Sequence, residues 1–271
     1  MASSPAAKTL ARFGQTERRD PWWLEILPVI AVLGGFGVYA TLRAFEGAHY
    51  RWGPYLSPFY SPLIDPGHRW LPRLLSPALL ILPGPLGFRA TCYYYRKAYY
   101  RAFFLDPPAC AVSESGSRNY QGETAFPFIL QNIHRYFLYL AILFLVFLWK
   151  DAFEAFSFPA RLGTHEFGIG FGSLIMLVNV TLLTLYTFSC HSLRHLAGGK
   201  LDCFSCTAFG PSRHSAWSKL TFLNERHMLL AWLSLFSVGL ADFYIRCLAS
   251  GSRRRTLSFE ARRHIELAKT I

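Results

Sequence analysis

Residues 186–206 read Tyr-Thr-Phe-Ser-Cys-His-Ser-Leu-Arg-His-Leu-Ala-Gly-Gly-Lys-Leu-Asp-Cys-Phe-Ser-Cys and close the most apolar run of the chain. Three cysteines and two histidines fall close together in this stretch: Cys190, His191, His195, Cys203 and Cys206. Thiolate and imidazole ligands suit zinc, copper or iron–sulfur clusters, whereas calcium and magnesium prefer carboxylates. The stretch therefore indicates soft metal-ligand chemistry where an uncharged helix approaches the water interface.

The composition is typical of a membrane protein. Of the 271 residues, 52% are hydrophobic and 16% are charged, against about 25% charged residues in an average soluble domain. Apolar runs that approach the roughly 20 residues needed to span a bilayer fall at 22–42, 74–88, 136–149, 167–190 and 227–241, and Glu25 is the only charged residue within them. We therefore predict an all-α membrane protein with five transmembrane helices, divided into an N-terminal segment 1–21, a transmembrane domain 22–248 and a basic tail 249–271.

The formal net charge of +12 is concentrated beside the predicted helices. Lysines and arginines are dense before the first helix, between the second and third, and between the fourth and fifth, and sparser in the two other loops. We predict a multi-pass protein of the plasma membrane. By the positive-inside rule, its N-terminus is expected on the cytoplasmic side. The basic tail opposes this orientation, because an odd number of helices places it outside. Nucleic-acid binding is not expected, since topology and anionic headgroups already account for the charge.

Four of the five predicted helices carry a cysteine or histidine at one depth. Each of these residues lies within four positions of an arginine that marks the cytoplasmic boundary of its helix: Cys92, His134, Cys190 and His227. Ionisable side chains at membrane depth usually face the bundle interior, and helix bundles build metal sites from facing helices. Two cysteines and two histidines are the ligands of a Rieske-type [2Fe–2S] cluster. We predict that four helices form a bundle around such a centre.

Other interpretations of the same residues stay open. His134 and His227 are also a suitable pair of axial ligands for a b-type haem. A zinc site is the second alternative, because a Cys-x-x-Cys pair and two histidines spaced i, i+4 are common zinc ligands; its residues are Cys203, Cys206, His191 and His195. Cys110 is a further candidate ligand. Disulfides are not expected, since they are rare on the cytoplasmic side.

A third alternative is a transporter or a structural membrane protein. Transporters often contain internal repeats, and they place polar or charged residues near the middle of the membrane. The sequence shows no repeat between its halves, and no carboxylate falls in the middle of a predicted transmembrane helix. Both observations favour a redox protein over a transporter.

Four segments resemble the cytochrome b-like membrane anchor of an actinobacterial class of succinate dehydrogenase. They are TCYYYRKAYY at 91–100, QNIHRY at 131–136, CHSLRH at 190–195 and NERHM at 224–228. The resemblance covers roughly residues 20–247. It implies an anchor that holds a membrane-embedded Rieske-type [2Fe–2S] cluster in place of haem. It also implies a flavoprotein subunit and an iron–sulfur subunit as partners on the cytoplasmic face, with the number of copies per complex left open.

The resemblance further implies an electron relay of the kind found in respiratory complex II. Succinate is oxidised in the soluble partners, and this chain passes the electrons to menaquinone or ubiquinone within the lipid bilayer. The chain alone does not oxidise succinate, because it contains no flavin or nucleotide motif. A quinone pocket should be apolar and aromatic with few polar groups; the candidates are Tyr94, Arg135, His195 and Trp232. His191 and Arg194 are candidates for hydrogen bonds around the cluster.

Overall fold

The structure is a computed structural model that describes residues 21–64, 76–103, 128–159 and 164–269. Residue 110 and almost all of the N-terminal segment 1–21 lie outside these ranges. The predictions made for Cys110 and for that segment therefore stay predictions.

Within the described ranges the chain is mainly helical. Its α-helices are α1 Leu27–Glu46, α2 Ala78–Ile81, α3 Pro83–Ala90, α4 Tyr93–Phe103, α5 His134–Glu154, α6 Phe171–Phe188, α7 His191–Arg194, α8 Gly210–Asn224 and α9 His227–Lys269. Short antiparallel hairpins occur in two connecting loops: β1 Arg51–Trp52 pairs with β2 Tyr55–Leu56, and β3 Ser157–Pro159 pairs with β4 His165–Phe167. The prediction of an all-α membrane protein is confirmed.

Four helical segments in the described part of the chain are long and apolar enough to cross a membrane. They are Trp23–Glu46, His134–Glu154, Phe171–Phe188 and His227–Gly251. The remaining predicted helix is the shorter segment Ala78–Ala90, which falls below the length of about 20 residues that a bilayer requires. Proline has no N–H to donate to a helical hydrogen bond, and three prolines lie in or next to this segment: Pro77, Pro83 and Pro85. The predicted number of five spans is thus not confirmed.

The described residues fall into two compact units. The first contains the described residues up to Val38 together with those from Ala90 to Asn132, and the second contains those from Tyr39 to Arg89 and from Ile133 onward. The first unit contains most of α1 together with α4. In α4 the Arg96 guanidinium lies 5.0 Å from the ring centroid of Tyr93, and the Tyr99 hydroxyl donates a hydrogen bond of 3.0 Å to the carbonyl of Ala90. These contacts hold the tyrosine-rich helix close to the turn at which it begins.

The second unit is built around α5, α6 and α9. Its core combines aromatic, aliphatic and small residues from these helices and from β2: Tyr55, Ala152, Ala155, Met176, Val180, Ala241 and Ile245. The small residues at Ala231, Ser234 and Ala241 of α9 are fully buried, because small side chains let helices approach closely. Since α5 and α9 begin where α6 ends, the cysteine and histidine positions at 134, 190 and 227 lie at one end of this unit, called here the cluster end.

Buried charges lie at the opposite end of the second unit. Asp242 of α9 is fully buried and accepts hydrogen bonds from Tyr39, Ser57 and Arg246. Arg246 also donates a hydrogen bond of 2.8 Å to Glu46. Asp242 lies within the candidate membrane span His227–Gly251, one residue beyond the run 227–241. Its burial is tolerated because its charge is paired.

Candidate functional site

The helix that leads to Cys190 is interrupted. α6 ends at Phe188, and Cys190 is extended, with φ −63° and ψ 135°. The Asn224 side chain donates a hydrogen bond of 2.8 Å to the Ser189 carbonyl, and the Ser189 hydroxyl donates one of 2.7 Å to the Tyr186 carbonyl. The helix breaks here without a glycine or proline, because these bonds satisfy backbone carbonyls that a continuous helix would otherwise pair.

His134 and Cys190 are in direct contact. The Nε2 atom of His134, at the start of α5, lies 3.0 Å from the Cys190 Sγ atom, and both side chains are buried. The imidazole stacks on the Phe88 ring with a centroid separation of 4.7 Å and an interplanar angle of 10°, and it also hydrogen-bonds the Phe88 backbone. One predicted imidazole and one predicted thiol are therefore held together in an environment shielded from water.

His227 belongs to the same cluster. Its Nδ1 atom lies 2.7 Å from the Ser189 hydroxyl, and its ring stacks on Tyr186 with centroids 5.2 Å apart. The Tyr186 ring in turn meets the edge of Phe88 at 5.6 Å. The two histidines are thus joined through Phe88 and Tyr186 in one continuous block of rings. The sequence predicted the histidines, but it did not predict these two aromatic neighbours.

A fixed positive charge lies beside this block. The Arg89 guanidinium lies 4.6 Å from the Tyr186 ring centroid, and it donates hydrogen bonds to the Ala231 carbonyl at 3.3 Å and to the Ser234 hydroxyl at 3.0 Å. A positive charge in a medium of low dielectric constant favours negative charge nearby. Arg89, which the sequence suggested only as a marker of the membrane boundary, therefore contributes to the electrostatics of the site.

The fourth predicted ligand, Cys92, belongs to the first unit. It is buried at the turn between α3 and α4, where its carbonyl accepts a hydrogen bond of 2.9 Å from the Arg96 backbone. Among the described residues, no three or more cysteine, histidine or acidic side chains are already arranged around a common metal position. The structure therefore brings His134, Cys190 and His227 together, and the complete set of four ligands stays a prediction.

The Cys-x-x-Cys pair forms a disulfide. Cys203 and Cys206 are bonded to each other, with Cα atoms 5.4 Å apart, a separation that suits a disulfide. The expectation that these cysteines are reduced is wrong, and their thiols are not available to the alternative zinc site. His191 and His195, the other two members of that site, are exposed.

The predicted quinone-binding residues differ in their environments. Arg135 and His195 are exposed, whereas Trp232 is partly buried and lies 6.3 Å from Phe236 between ring centroids. Tyr94 belongs to the first unit and is partly buried. A role for these four residues in quinone binding stays a prediction.

Arg194, predicted to hydrogen-bond around the cluster, contacts α8. Its Nε atom donates a hydrogen bond of 2.9 Å to Thr221, and its guanidinium lies 4.9 Å from the Trp217 ring centroid. These contacts attach the short helix that follows Cys190 to α8. His191, the other residue predicted for this role, is exposed, and the role of both residues stays a prediction.

We expect Gly87→Ala to destabilise the second unit. A Cβ atom at Gly87 would lie 2.2 Å from a Phe137 ring carbon, so either the Phe137 ring or α3, which carries Phe88 and Arg89, would have to move. Overpacking of this kind typically costs about 1–3 kcal/mol. Thermal unfolding in detergent measures the change. Gly35→Ala is the matched control, because no atom outside its own stretch of helix lies within 4 Å of its Cβ position. An equal effect of both substitutions would contradict the prediction.

Comparison with known proteins gives two matches and one negative result. Residues 24–251 match the model of the family described as actinobacterial succinate dehydrogenase subunit SdhC. Among solved structures, the chain is similar to a chain of the Mycobacterium smegmatis Sdh1 complex in the apo form, with 44% sequence identity and a TM-score of 0.77. That match covers 92% of this chain and 96% of the other. No curated protein matches.

Proposed function

The chain belongs to the family of actinobacterial succinate dehydrogenase subunit SdhC, and on this premise we propose that it relays electrons through a Rieske-type [2Fe–2S] cluster to a quinone. In this proposal the electrons come from a flavoprotein subunit and an iron–sulfur subunit docked at the cluster end, which faces the cytoplasm together with the N-terminus. The observation that carries the proposal is the convergence of His134, Cys190 and His227 at one end of a membrane-spanning unit.

The candidate ligand side chains are of the types that bind a Rieske-type cluster. Two imidazoles and one thiol meet at the cluster end, and the sequence offers Cys92 as the second thiol. A bound Rieske-type cluster supplies a one-electron carrier with a reduction potential of roughly −150 to +300 mV, since neutral imidazoles replace two thiolates. The surrounding protein excludes water, because Cys190, Ser189 and Tyr186 are almost completely buried.

Aromatic rings pack against both histidines. The rings of His134 and Phe88 are stacked, the rings of His227 and Tyr186 are stacked, and Phe88 meets Tyr186 edge to face. This packing supports a compact site formed from side chains of α5, α9 and the α6–α7 break.

Quinone reduction would take place in the apolar surroundings of this end of the bundle. A quinol carries two protons as well as two electrons, so the pocket needs a few polar groups in an otherwise apolar wall. We propose Tyr94, Arg135, His195 and Trp232 for this pocket. Of these, Arg135 and His195 are exposed in the second unit, which leaves them accessible as hydrogen-bond donors to a quinone.

The proposal predicts the spectrum of the reduced complex. Electron paramagnetic resonance of the purified, dithionite-reduced complex should show a Rieske-type signal that differs from the signals of all-cysteine clusters, because two imidazoles replace two thiolates on one iron. Iron analysis should give two iron atoms more than the soluble subunits alone account for. The appearance of haem absorption bands would instead support axial ligation by His134 and His227, and zinc without the additional iron would refute the electron relay.

A further inference from the structure

We propose that Ser189 fixes the tautomer of His227, so that the imidazole keeps its hydrogen on Nδ1 and presents the lone pair of Nε2 to the metal cluster. This inference rests on the proposed function and deepens it. Ser189 acts here as a positioning residue, because its hydroxyl contacts the imidazole and not the metal. The contacts that carry the assignment are those of one buried hydroxyl group.

Counting hydrogens determines the direction of the bond. The Ser189 Oγ atom lies 2.7 Å from the Tyr186 carbonyl oxygen and 2.7 Å from the Nδ1 atom of His227. A carbonyl oxygen only accepts, and a serine hydroxyl has a single hydrogen to donate. That hydrogen is used on Tyr186. The contact with His227 is therefore a hydrogen bond only if Nδ1 carries the hydrogen and donates it to Ser189.

The position of the hydroxyl is fixed by the helix break itself. Ser189 is fully buried, its backbone N–H donates to the Leu185 carbonyl at 2.9 Å, and its own carbonyl accepts from Asn224 at 2.8 Å. Backbone and side chain are thus both held, and rotation of the hydroxyl away from Tyr186 would leave a buried carbonyl without this bond. The break in α6 therefore places an oriented acceptor opposite His227.

The second histidine independently presents the same ring nitrogen. The Nε2 atom of His134 faces the Cys190 Sγ atom at 3.0 Å, and the imidazole also hydrogen-bonds the backbone of Phe88. His134 thus directs Nε2 toward another proposed ligand, and the Ser189 contact of His227 is made by Nδ1. Histidine ligands commonly donate their other N–H to an acceptor, which fixes the ring orientation and makes the ligand more basic.

Two consequences follow for the cluster and for the quinone. An accepting Ser189 increases the electron density on the His227 imidazole, which stabilises the oxidised cluster and lowers its reduction potential. Because the Nδ1 hydrogen of His227 is used inside the protein, this imidazole does not donate a hydrogen bond to the quinone. Protons for quinol formation must then come from other groups.

The nitrogen assignment is tested in the wild-type complex. The complex is produced with histidine labelled with ¹⁵N at Nε2 only, and pulsed electron paramagnetic resonance is recorded on the reduced cluster. Strong coupling to two ¹⁵N nuclei and to no ¹⁴N nucleus is expected, because both histidines are assigned to bind through Nε2. A strongly coupled ¹⁴N nucleus would overturn the inference while leaving the Rieske cluster in place, whereas a missing Rieske-type signal would overturn the proposed function as well.

The role of Ser189 is tested by substitution in the complete complex. In Ser189→Ala we expect the ratio of reduced to oxidised cluster at a given potential to rise about tenfold. This corresponds to a reduction potential raised by about 59 mV for a one-electron couple. Ser189→Thr keeps a hydroxyl group and should restore the wild-type potential. Thr187→Val is the matched control, because the Thr187 hydroxyl bonds only to the Leu183 carbonyl of its own helix among the contacts described. An unchanged potential in Ser189→Ala would overturn the role of Ser189, and if that variant lost the cluster, the labelling result would still decide the nitrogen assignment.

Discussion

Replacing His134 and His227 together by alanine should reduce quinone reduction more than about 100-fold, while succinate oxidation with a soluble dye stays close to that of the wild type. Loss of a neighbouring hydrogen-bond partner of a metal ligand already costs 10–100-fold in affinity or activity, and loss of two ligands should cost more. The dye accepts electrons from the soluble subunits, so its reduction does not require this chain. The two activities are measured on the same purified complex.

This experiment requires that the complex remain assembled. The ratio of subunits in the purified variant and its dye-linked activity report on assembly, and iron analysis reports on loss of the cluster. His165→Ala is a suitable control, because His165 is exposed in the β3–β4 hairpin at the opposite end of the second unit. Quinone reduction that persists in an assembled double variant would show that these histidines are not the ligands.

The sequence predicted those parts of the fold that depend on long apolar runs. The helices that span residues 134–154, 171–188 and 227–251 follow from their lack of charge and from their length. The short Ala78–Ala90 segment and the break at Ser189 were not predicted. The break depends on Asn224, which is distant in sequence, and a contact of this kind leaves no local pattern.

The sequence predicted the depth of the two histidines of the site, but it did not predict the side chains that surround them. Arginines near His134 and His227 predicted the same depth for both histidines, and because α5 and α9 both begin at this depth, the histidines lie at one end of the unit. Which neighbours surround them depends on side-chain packing, so the roles of Phe88, Tyr186 and Ser189 could be found only in three dimensions. The disulfide between Cys203 and Cys206 was missed because its formation was judged from the expected compartment and not from the turn that holds the two residues together.

Substitution of Asp242 by alanine should destabilise the second unit by about 3–5 kcal/mol, the usual cost of removing one partner of a buried ion pair. The substitution leaves the buried Arg246 guanidinium with Glu46 as its remaining carboxylate partner, and it removes the acceptor of the Tyr39 and Ser57 hydroxyls. The lowered midpoint of thermal unfolding in detergent measures the effect. At low temperature the surviving complex should still reduce quinone, because the ion pair lies at the end remote from the histidines.

A pair with the same sequence spacing separates the effect of burial from that of charge. Lys150 and Glu154 also lie at i, i+4 and are 2.7 Å apart, but their side chains are 64% and 56% exposed. Exposed pairs contribute about 0.2–1 kcal/mol, so Lys150→Ala should have a far smaller effect than Asp242→Ala. Replacing Asp242 and Arg246 together by leucine and methionine should recover most of the loss, since apolar replacements of buried ion pairs are often neutral. Equal destabilisation by the single and double substitutions would mean that the surrounding hydroxyls, and not the unpaired charge, make Asp242 necessary.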